Sequence, residues 1–363
     1  MSKLFSDNYA EARKRFLDIC EFSRATINAY RQDQVNPDVP IDLTVDTARL
    51  GPTNASRTLV LISGTHGGEG FCGSACQLAF AMSESCHCIP ADTSIFFIHA
   101  LNPFGFAALR RFDAENIDLN RNFVKDFSKL ADYNPEYAVL NSALNPTRWR
   151  EADPQEGDQE IRDFIESRGM QKFQEVASIG QYRYPKGLFY GGNKKAWSRS
   201  VLEHIAKTEF NQTSSVCIVD YHTGLGAHGV GELISLAPEG SEEYRRSVQW
   251  FGSEVKSTKS NAAENKSVSA DIGGSIDGAF RDGEKSVTFI ALEFGTVPLP
   301  AVLRALRAEN WLNHYGNLDS ELGKKIKEDL KSAFHSSDET WQNMVVSRSN
   351  NVLQRALAGL ASS

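Results

Sequence analysis

The chain has 363 residues, of which 41% are hydrophobic and 23% are charged, and its formal net charge is -7. This composition supports a large packed core and excludes a chain that is intrinsically disordered throughout. The acidic balance argues against nucleic acid as a partner, because binding to phosphates relies on clustered Lys and Arg side chains.

The sequence shows no signal for export or membrane insertion. Its first residues, MSKLFSDNYAEARKRF, lack an apolar segment followed by a small-residue cleavage site, and no run of about 18 apolar residues occurs. We therefore expect a cytoplasmic protein with no membrane partner. Six cysteines are too few for a disulfide scaffold. Cys86, His87 and Cys88 have no second Cys/His cluster at zinc-finger spacing, so we interpret this triplet as structural.

The first predicted element is an amphipathic helix over Asp7–Phe22, where apolar residues recur at helical spacing. Short apolar runs further along the chain predict strands that are covered on both faces. These strands are Thr58–Ser63, Ser94–His99, Ser215–Asp220, Glu232–Leu236 and Ser286–Phe294.

Helical stretches separate several of these strands, with two further helices predicted over Asp158–Ala177 and Lys194–Phe210. The alternation predicts an α/β fold of three αβα layers around a central mixed, mostly parallel sheet. We expect one domain over residues 1–363, elaborated around 123–212 and helical from residue 300. The segment Ser257–Gly278 is rich in Ser, Ala, Gly and Asn, which indicates a mobile loop that covers the site.

A Gly-rich turn carries the first candidate site residues. His66 and Glu69 follow the strand Thr58–Ser63, and their spacing of nearly one helical turn lets both side chains face one point. An imidazole nitrogen and a carboxylate oxygen suit Zn²⁺, and flanking glycines let the backbone pass close to the ion. A catalytic zinc takes three protein ligands, and His222, after the strand Ser215–Asp220, is the candidate for the third.

A second polar cluster runs from Asn102 through Arg111 to the segment Asp118–Phe123. A solvated loop with an Asn-Pro turn is one interpretation of this segment. The adjacent Asn120 and Arg121 favour another, because an amide beside a planar guanidinium matches a carboxylate group.

A single carboxylate, Glu293, ends the apolar strand Ser286–Phe294. A buried charge must be paired, neutralised by a raised pKa, or face a wet cleft that contains a cation. A salt bridge to an arginine is therefore the alternative to a catalytic role for Glu293.

Taken together, these residues resemble the zinc carboxypeptidase superfamily. The segments SGTHGGEGFCGSACQ, HALNPFGF, DLNRNF, DYHTGLG and ALEFGT lie within residues 60 to 297 and are similar to a bacterial-type branch of carboxypeptidase-like proteins. The resemblance implies a zinc carboxypeptidase-like fold with one Zn²⁺ per chain, held by His66, Glu69 and His222. It also implies that Glu293 is the general base of a zinc-dependent hydrolase.

Further roles follow from the same resemblance. Arg111 would polarise the scissile carbonyl, Asn120 and Arg121 would bind a substrate carboxylate, and Asp118 would orient the first histidine ligand. Peptidases of the superfamily also place a tyrosine between the third ligand and the catalytic glutamate. Here Tyr244 is the only tyrosine in that interval, in a helical context, and this departs from the pattern of an ordinary peptidase.

The sequence leaves the exact reaction open. The substrate is either a small peptide or an N-acyl amino acid, in both cases with a free carboxylate, so carboxypeptidase and deacylase or amidase remain as alternatives. A catalytically inactive binding protein is disfavoured by the intact residue set. A serine hydrolase is disfavoured because no Gly-x-Ser-x-Gly elbow presents a nucleophile.

Overall fold

The computed structural model describes residues 4–33, 42–260 and 269–362. Within these residues the strands form one eight-stranded sheet. The strands are β1 (Thr26–Arg31), β2 (Thr44–Leu50), β3 (Arg57–Ile62), β4 (Thr93–His99), β5 (Ser215–His228), β6 (Gly231–Ser235), β7 (Lys256–Ser257) and β8 (Ser286–Gly295).

The helices lie on both sides of this sheet and beyond one end of it. They are α1 (Tyr9–Phe22), α2 (Gly70–Ala81), α3 (Glu84–His87), α4 (Pro103–Ala107), α5 (Tyr137–Leu144), α6 (Asp158–Arg168), α7 (Met170–Ser178), α8 (Trp197–Glu209), α9 (Glu242–Phe251), α10 (Leu299–Tyr315), α11 (Glu321–Phe334) and α12 (Glu339–Ala361).

The sheet is mixed, with a parallel centre. Its strand order is β1-β2-β4-β3-β5-β8-β6-β7. The four central strands β4, β3, β5 and β8 pair in parallel, whereas β1, β2 and β6 add antiparallel pairings towards the edges. The predicted α/β class with a mixed, mostly parallel sheet is confirmed.

Alternating side chains on the strands build the two outer layers. On β3, Leu59 and Leu61 point into a core shared with α1, α2, α9 and α12, whereas Val60 and Ile62 point into a core shared with α8. Because successive residues of a strand face opposite sides, one continuous apolar run supplies both cores.

A third core lies among helices. Side chains of α5, α6 and α7, from the predicted elaboration, pack with those of α10 and α11. The single helix predicted over Asp158–Ala177 is wrong, because it divides into α6 and α7 at Gly169. This residue has φ +84°, a left-handed conformation that glycine adopts without strain. The division brings the C-terminal end of α7 to the pocket described below.

Part of the predicted loop Ser257–Gly278 cannot be compared with the structure, since residues 261–268 lie outside the described part of the chain. Its described ends contain the last residue of β7 and a 3₁₀ turn at Ile276–Phe280. Within the described residues, no helix combines the length and hydrophobicity that crossing a membrane requires.

Candidate metal centre

Three adjacent strands position the predicted cluster. His66 follows β3 and starts a 3₁₀ turn, Gly67–Glu69, which leads into α2. His222 and Glu293 lie inside β5 and β8 rather than after them, and they are register partners on these two parallel strands. Residues that are far apart in sequence therefore meet at one place on the sheet.

Gly67 is required by close packing. A Cβ atom at this position would lie 1.9 Å from the carbonyl carbon of Gly105 in α4. From the sequence, we expected the glycines to let the backbone approach the ion closely. The structure instead shows the backbone at Gly67 packed against the backbone of α4. This contact fixes the turn that carries His66 and Glu69.

The three predicted ligands converge. His66, Glu69 and His222 each offer a ligand atom, and these atoms lie within 4.8 Å of one another. Nδ1 of His66 lies 3.1 Å from Oε1 of Glu69, and Nδ1 of His222 lies 3.1 Å from Oε2 of the same carboxylate. Both imidazole rings thus present Nδ1 to one point.

Asp118 contacts His66 at Nε2, the ring nitrogen that does not face Glu69, and its role in orienting this histidine stays a prediction. Its Oδ1 lies 3.0 Å from Nε2 of His66 and also accepts a hydrogen bond from the backbone N–H of Asn120. A proton on Nε2 leaves the lone pair on Nδ1, which is the nitrogen that faces Glu69.

The sequence interpretation missed the equivalent partner of the second histidine, Asp220. Its Oδ2 lies 2.5 Å from Nε2 of His222, and its Oδ1 accepts a hydrogen bond from the Thr65 hydroxyl at 2.7 Å. A signal was present, since residues two apart on a strand point to the same face. Burial lowers the pKa of His222, but Asp220 and Glu69 outweigh this effect and raise it well above the ordinary value.

Glu69 is held as a carboxylate. Its Oε2 accepts a hydrogen bond from the backbone N–H of Thr223 at 3.1 Å, and its Oε1 accepts one from Nη1 of Arg111 at 2.8 Å. Burial raises the pKa of Glu69, but His66, His222 and Arg111 outweigh burial and lower it below the ordinary value.

Arg111 lies inside the cluster in this structure. Besides its bond to Glu69, its Nε donates to Oδ2 of Asp118 at 3.1 Å and its Nη2 lies 3.0 Å from Nε2 of His66. The predicted contact of this residue with a scissile carbonyl stays a prediction. Because the side chain also lines the pocket, it is within reach of a molecule bound there.

Glu293 faces the cluster and is almost fully buried. Its Oε1 accepts a hydrogen bond from the backbone N–H of Leu225 at 3.0 Å. Burial, followed by the negative charge of Glu69, raises the pKa of Glu293 to about 8. Among the described residues, Arg111 and Arg121 form their ion pairs with Glu69 and Asp118, and no ion pair involves Glu293, so the salt bridge to an arginine considered from the sequence does not form.

Asn120 and Arg121 line the same pocket. Oδ1 of Asn120 accepts hydrogen bonds from Ser275 and Ile276, which ties it to the 3₁₀ turn there. Three N–H groups of Arg121 donate to backbone carbonyls, two to Ser178 and one to Asn120. The remaining N–H groups of this guanidinium could bind a carboxylate, and that role stays a prediction.

The pocket is open to solvent, and its empty space, counted together with the solvent at its mouth, is about 1060 Å³. Its charged lining belongs entirely to residues described above, and the rest is mainly apolar. No tyrosine lines it within the described part of the chain. Tyr244 lies in α9, and its hydroxyl donates to the carbonyl of Val255, which agrees with the departure noted in the sequence.

The residues present fit a divalent cation. Nδ1 of His66 is buried and has no hydrogen-bond partner among the described residues, although it faces a carboxylate oxygen. Two imidazole nitrogens and one carboxylate are a ligand set that zinc enzymes use, leaving one position open. Cys86 is buried and Cys88 is exposed, whereas the side chain of His87 lies outside the described part. Among the described residues, only His66, Glu69 and His222 form a group of His, Cys, Asp or Glu side chains close enough to share a metal ion.

Comparison with protein families gives one match. The family described as "Protein of unknown function (DUF2817)" covers residues 5–348. The chain belongs to this family. No curated protein sequence matches this DUF2817 chain.

Several solved structures are similar to this DUF2817 chain. Bovine thrombin-activatable fibrinolysis inhibitor, in complex with tick carboxypeptidase inhibitor, shares 10% identity with a TM-score of 0.49, covering 99% of this chain and 98% of that one. Carboxypeptidase A from Helicoverpa armigera shares 12% identity with a TM-score of 0.45, covering 90% and 73%. An aspartoacylase family protein from Mesorhizobium loti shares 12% identity with a TM-score of 0.39, covering 82% and 68%.

Proposed function

We propose that this protein is a zinc-dependent hydrolase that cleaves a peptide or amide bond next to a free carboxylate. The observation that carries the proposal is the convergence of His66, Glu69 and His222 on one point, with Glu293 facing it from the neighbouring strand. A divalent cation held there would lower the pKa of a water molecule and polarise a carbonyl group.

The side chains around that point have complementary tasks. Glu293 accepts a proton from the attacking water and delivers it to the leaving nitrogen, as a general base and then a general acid. Arg111, which lines the pocket, stabilises the negative charge that develops on the carbonyl oxygen.

Asn120 and Arg121 are proposed to bind the substrate carboxylate. Both line the pocket and both are nearly buried, so an ion pair formed there is shielded from bulk water. The bonds from Arg121 to Ser178 hold the guanidinium in place before a substrate arrives. Such preorganisation reduces the entropy lost when the carboxylate binds.

A second candidate function is hydrolysis of N-acyl amino acids on the same site. The observation that favours it is the mainly apolar lining beyond the charged cluster, with no tyrosine among the described lining residues. Both candidate reactions use the same cation, the same base and the same carboxylate contacts. An inactive binding protein is disfavoured because the ligands, their Asp partners and Glu293 are all in place.

The proposal is tested by pairing metal analysis with a rate assay. Glu293→Gln should keep about one zinc per chain and lose turnover by about 100-fold or more, because the base is removed while the ligands remain. His222→Ala should lose both the metal and the activity. The assay uses dipeptides and N-acyl amino acids, with and without a chelator. Full activity of the Glu293→Gln variant would reject the mechanism.

A further inference from the structure

We propose that one wall of the pocket is a compartment for the aliphatic acyl chain of an N-acyl amino acid. This inference rests on the proposed function and narrows its substrate class. The compartment, here called the acyl wall, is formed by Phe173, Phe189, Val302, Leu303, Leu306 and Phe334.

The acyl wall is the part of the helical core that borders the pocket containing His66, Glu69, His222 and Glu293. All six of its side chains belong to, or pack on, the core shared by α5, α6, α7, α10 and α11. The same six side chains line the pocket that contains the candidate metal ligands. A substrate bound at the cluster can therefore extend along them without leaving the pocket.

The two ends of the cluster differ in chemistry, which gives the substrate a direction. At one end, Asn120 is tied to Ser275 and Ile276 in the 3₁₀ turn, so the carboxylate contacts lie beside that turn. On the strand that carries His222, a Cβ on Gly224 would lie 2.8 Å from the Phe334 ring and 3.7 Å from Val302, so acyl-wall side chains adjoin this strand.

Gly224 comes two residues after the ligand His222 and directly before Leu225, whose N–H holds Glu293. The acyl wall therefore reaches the segment beside the catalytic glutamate, through Phe334 and Val302. With the carboxylate at Asn120 and the scissile bond at the cluster, the group on the far side of that bond points along the acyl wall. In an N-acyl amino acid this group is the acyl chain.

Phe189 carries a second, independent indication. It has φ +56°, which is rare and strained for an aromatic residue, and such strain concentrates at functional sites. The conformation places its ring 5.3 Å from the guanidinium carbon of Arg111 and 5.6 Å from that of Arg121. The ring thus contacts both guanidinium groups, and it joins the polar end of the acyl wall to the helical core.

The chemistry of the acyl wall selects an aliphatic group. Its six side chains carry no charge or hydrogen-bonding atom, so a polar or charged acyl group would lose its hydration there without compensation. Each CH₂ group removed from water favours binding by about fourfold. The acyl wall therefore distinguishes a medium-length chain from an acetyl group.

The first experiment measures binding without turnover. Zinc-loaded Glu293→Gln protein is titrated with N-octanoyl-phenylalanine and N-acetyl-phenylalanine by calorimetry. If about four of the additional CH₂ groups are buried, the octanoyl compound binds at least about 100-fold more tightly. Equal affinities would overturn the inference.

The second experiment locates the compartment. In the same background, Leu303→Trp places a large ring on the acyl wall at a half-buried position and should reduce the octanoyl-over-acetyl preference at least about tenfold. Leu322→Trp on α11 is the matched control, since Leu322 is also partly buried but packs on a different cluster. It should keep the preference. A Leu303→Trp protein with the full preference would remove the acyl wall from its proposed place.

Hydrolysis by the wild-type protein is measured separately. Turnover of both compounds without a chain-length preference would reject the acyl wall and leave the hydrolase proposal standing. A binding preference without any turnover would reject the hydrolase proposal and leave the acyl wall standing.

Discussion

Asp220 gives the sharpest test of how the metal centre is organised. It is fully buried, its Oδ2 lies 2.5 Å from Nε2 of His222, and its Oδ1 accepts the Thr65 hydroxyl. Asp220→Ala removes the group that keeps the proton on Nε2 and the lone pair on Nδ1. We therefore expect the variant to fold but to bind Zn²⁺ more weakly.

The size of the effect follows from these contacts. Loss of a partner that orients a metal-binding histidine typically costs about 10- to 100-fold in metal affinity. Asp220→Ala also leaves the ring N–H of His222 without its acceptor in a buried place, so we expect about 100-fold. Asp220→Asn keeps an acceptor oxygen but loses the charge, so we expect about tenfold.

The assay is competition for Zn²⁺ between the protein and a chromogenic chelator over a range of pH. Asp220 raises the pKa of His222, so protons compete more strongly with the metal when Asp220 is present. At pH 8, the zinc affinity of Asp220→Ala should therefore be weaker than that of the wild type. As the pH falls, however, the variant should begin to lose zinc at a lower pH than the wild type does. Asp46→Asn is the matched control, because Asp46 is also a buried strand carboxylate but pairs with Arg13.

Two results on zinc affinity, and one on its pH dependence, would refute this reasoning. One is wild-type zinc affinity in a folded Asp220→Ala protein. The other is an equal loss of affinity in Asp46→Asn, which would show that any buried strand carboxylate has the same effect. A shift of the pH dependence in the opposite direction would contradict the assigned contact with His222.

Two further predictions concern the pocket and the sheet. Arg121→Ala should raise the KM of substrates with a free carboxylate by about tenfold or more and change the KM of their amides little, since a purely structural loss of the Ser178 contacts would affect both alike. His99 is fully buried, and burial lowers its pKa to about 4, so the folded protein keeps it neutral where the unfolded chain binds a proton. Its contribution to the free energy of unfolding is complete above about pH 6.5 and falls by about 3 kcal/mol towards pH 4. Urea unfolding at several pH values should show this slope, and His99→Asn should flatten it. A slope unchanged by the substitution would assign it to other groups.

The central strands could be predicted because their apolar runs need only local information. β1 and β2 could not, since β2 contains Asp46 and Arg49 at buried positions, where a polar sequence indicates a loop. Those charges are balanced by Arg13 and Glu209, which lie far away in sequence. Partners of this kind exist only once the tertiary structure has formed.

The candidate site also has features that the sequence predicts and features that only the tertiary structure determines. The spacing of His66 and Glu69 is local, and the structure confirms that both side chains face one point. The partnership of Asp220 with His222 was also readable from the period of two on a strand. The contacts of Arg121 with Ser178 could not be predicted from the sequence. Ser178 ends α7, which begins after the helix break at Gly169, and the position of α7 beside the pocket is set by tertiary packing.

The arrangement of the candidate ligands on adjacent strands determines how the proposed cation would be held. His66 follows β3 and His222 lies within β5, and these strands pair with each other only in the assembled sheet. Partial opening between them separates the two imidazoles, so an intermediate with these strands apart has no complete binding site. Metal retention therefore reports on the integrity of the middle of the sheet, and each tenfold rise of free cation above its Kd adds about 1.4 kcal/mol against such opening.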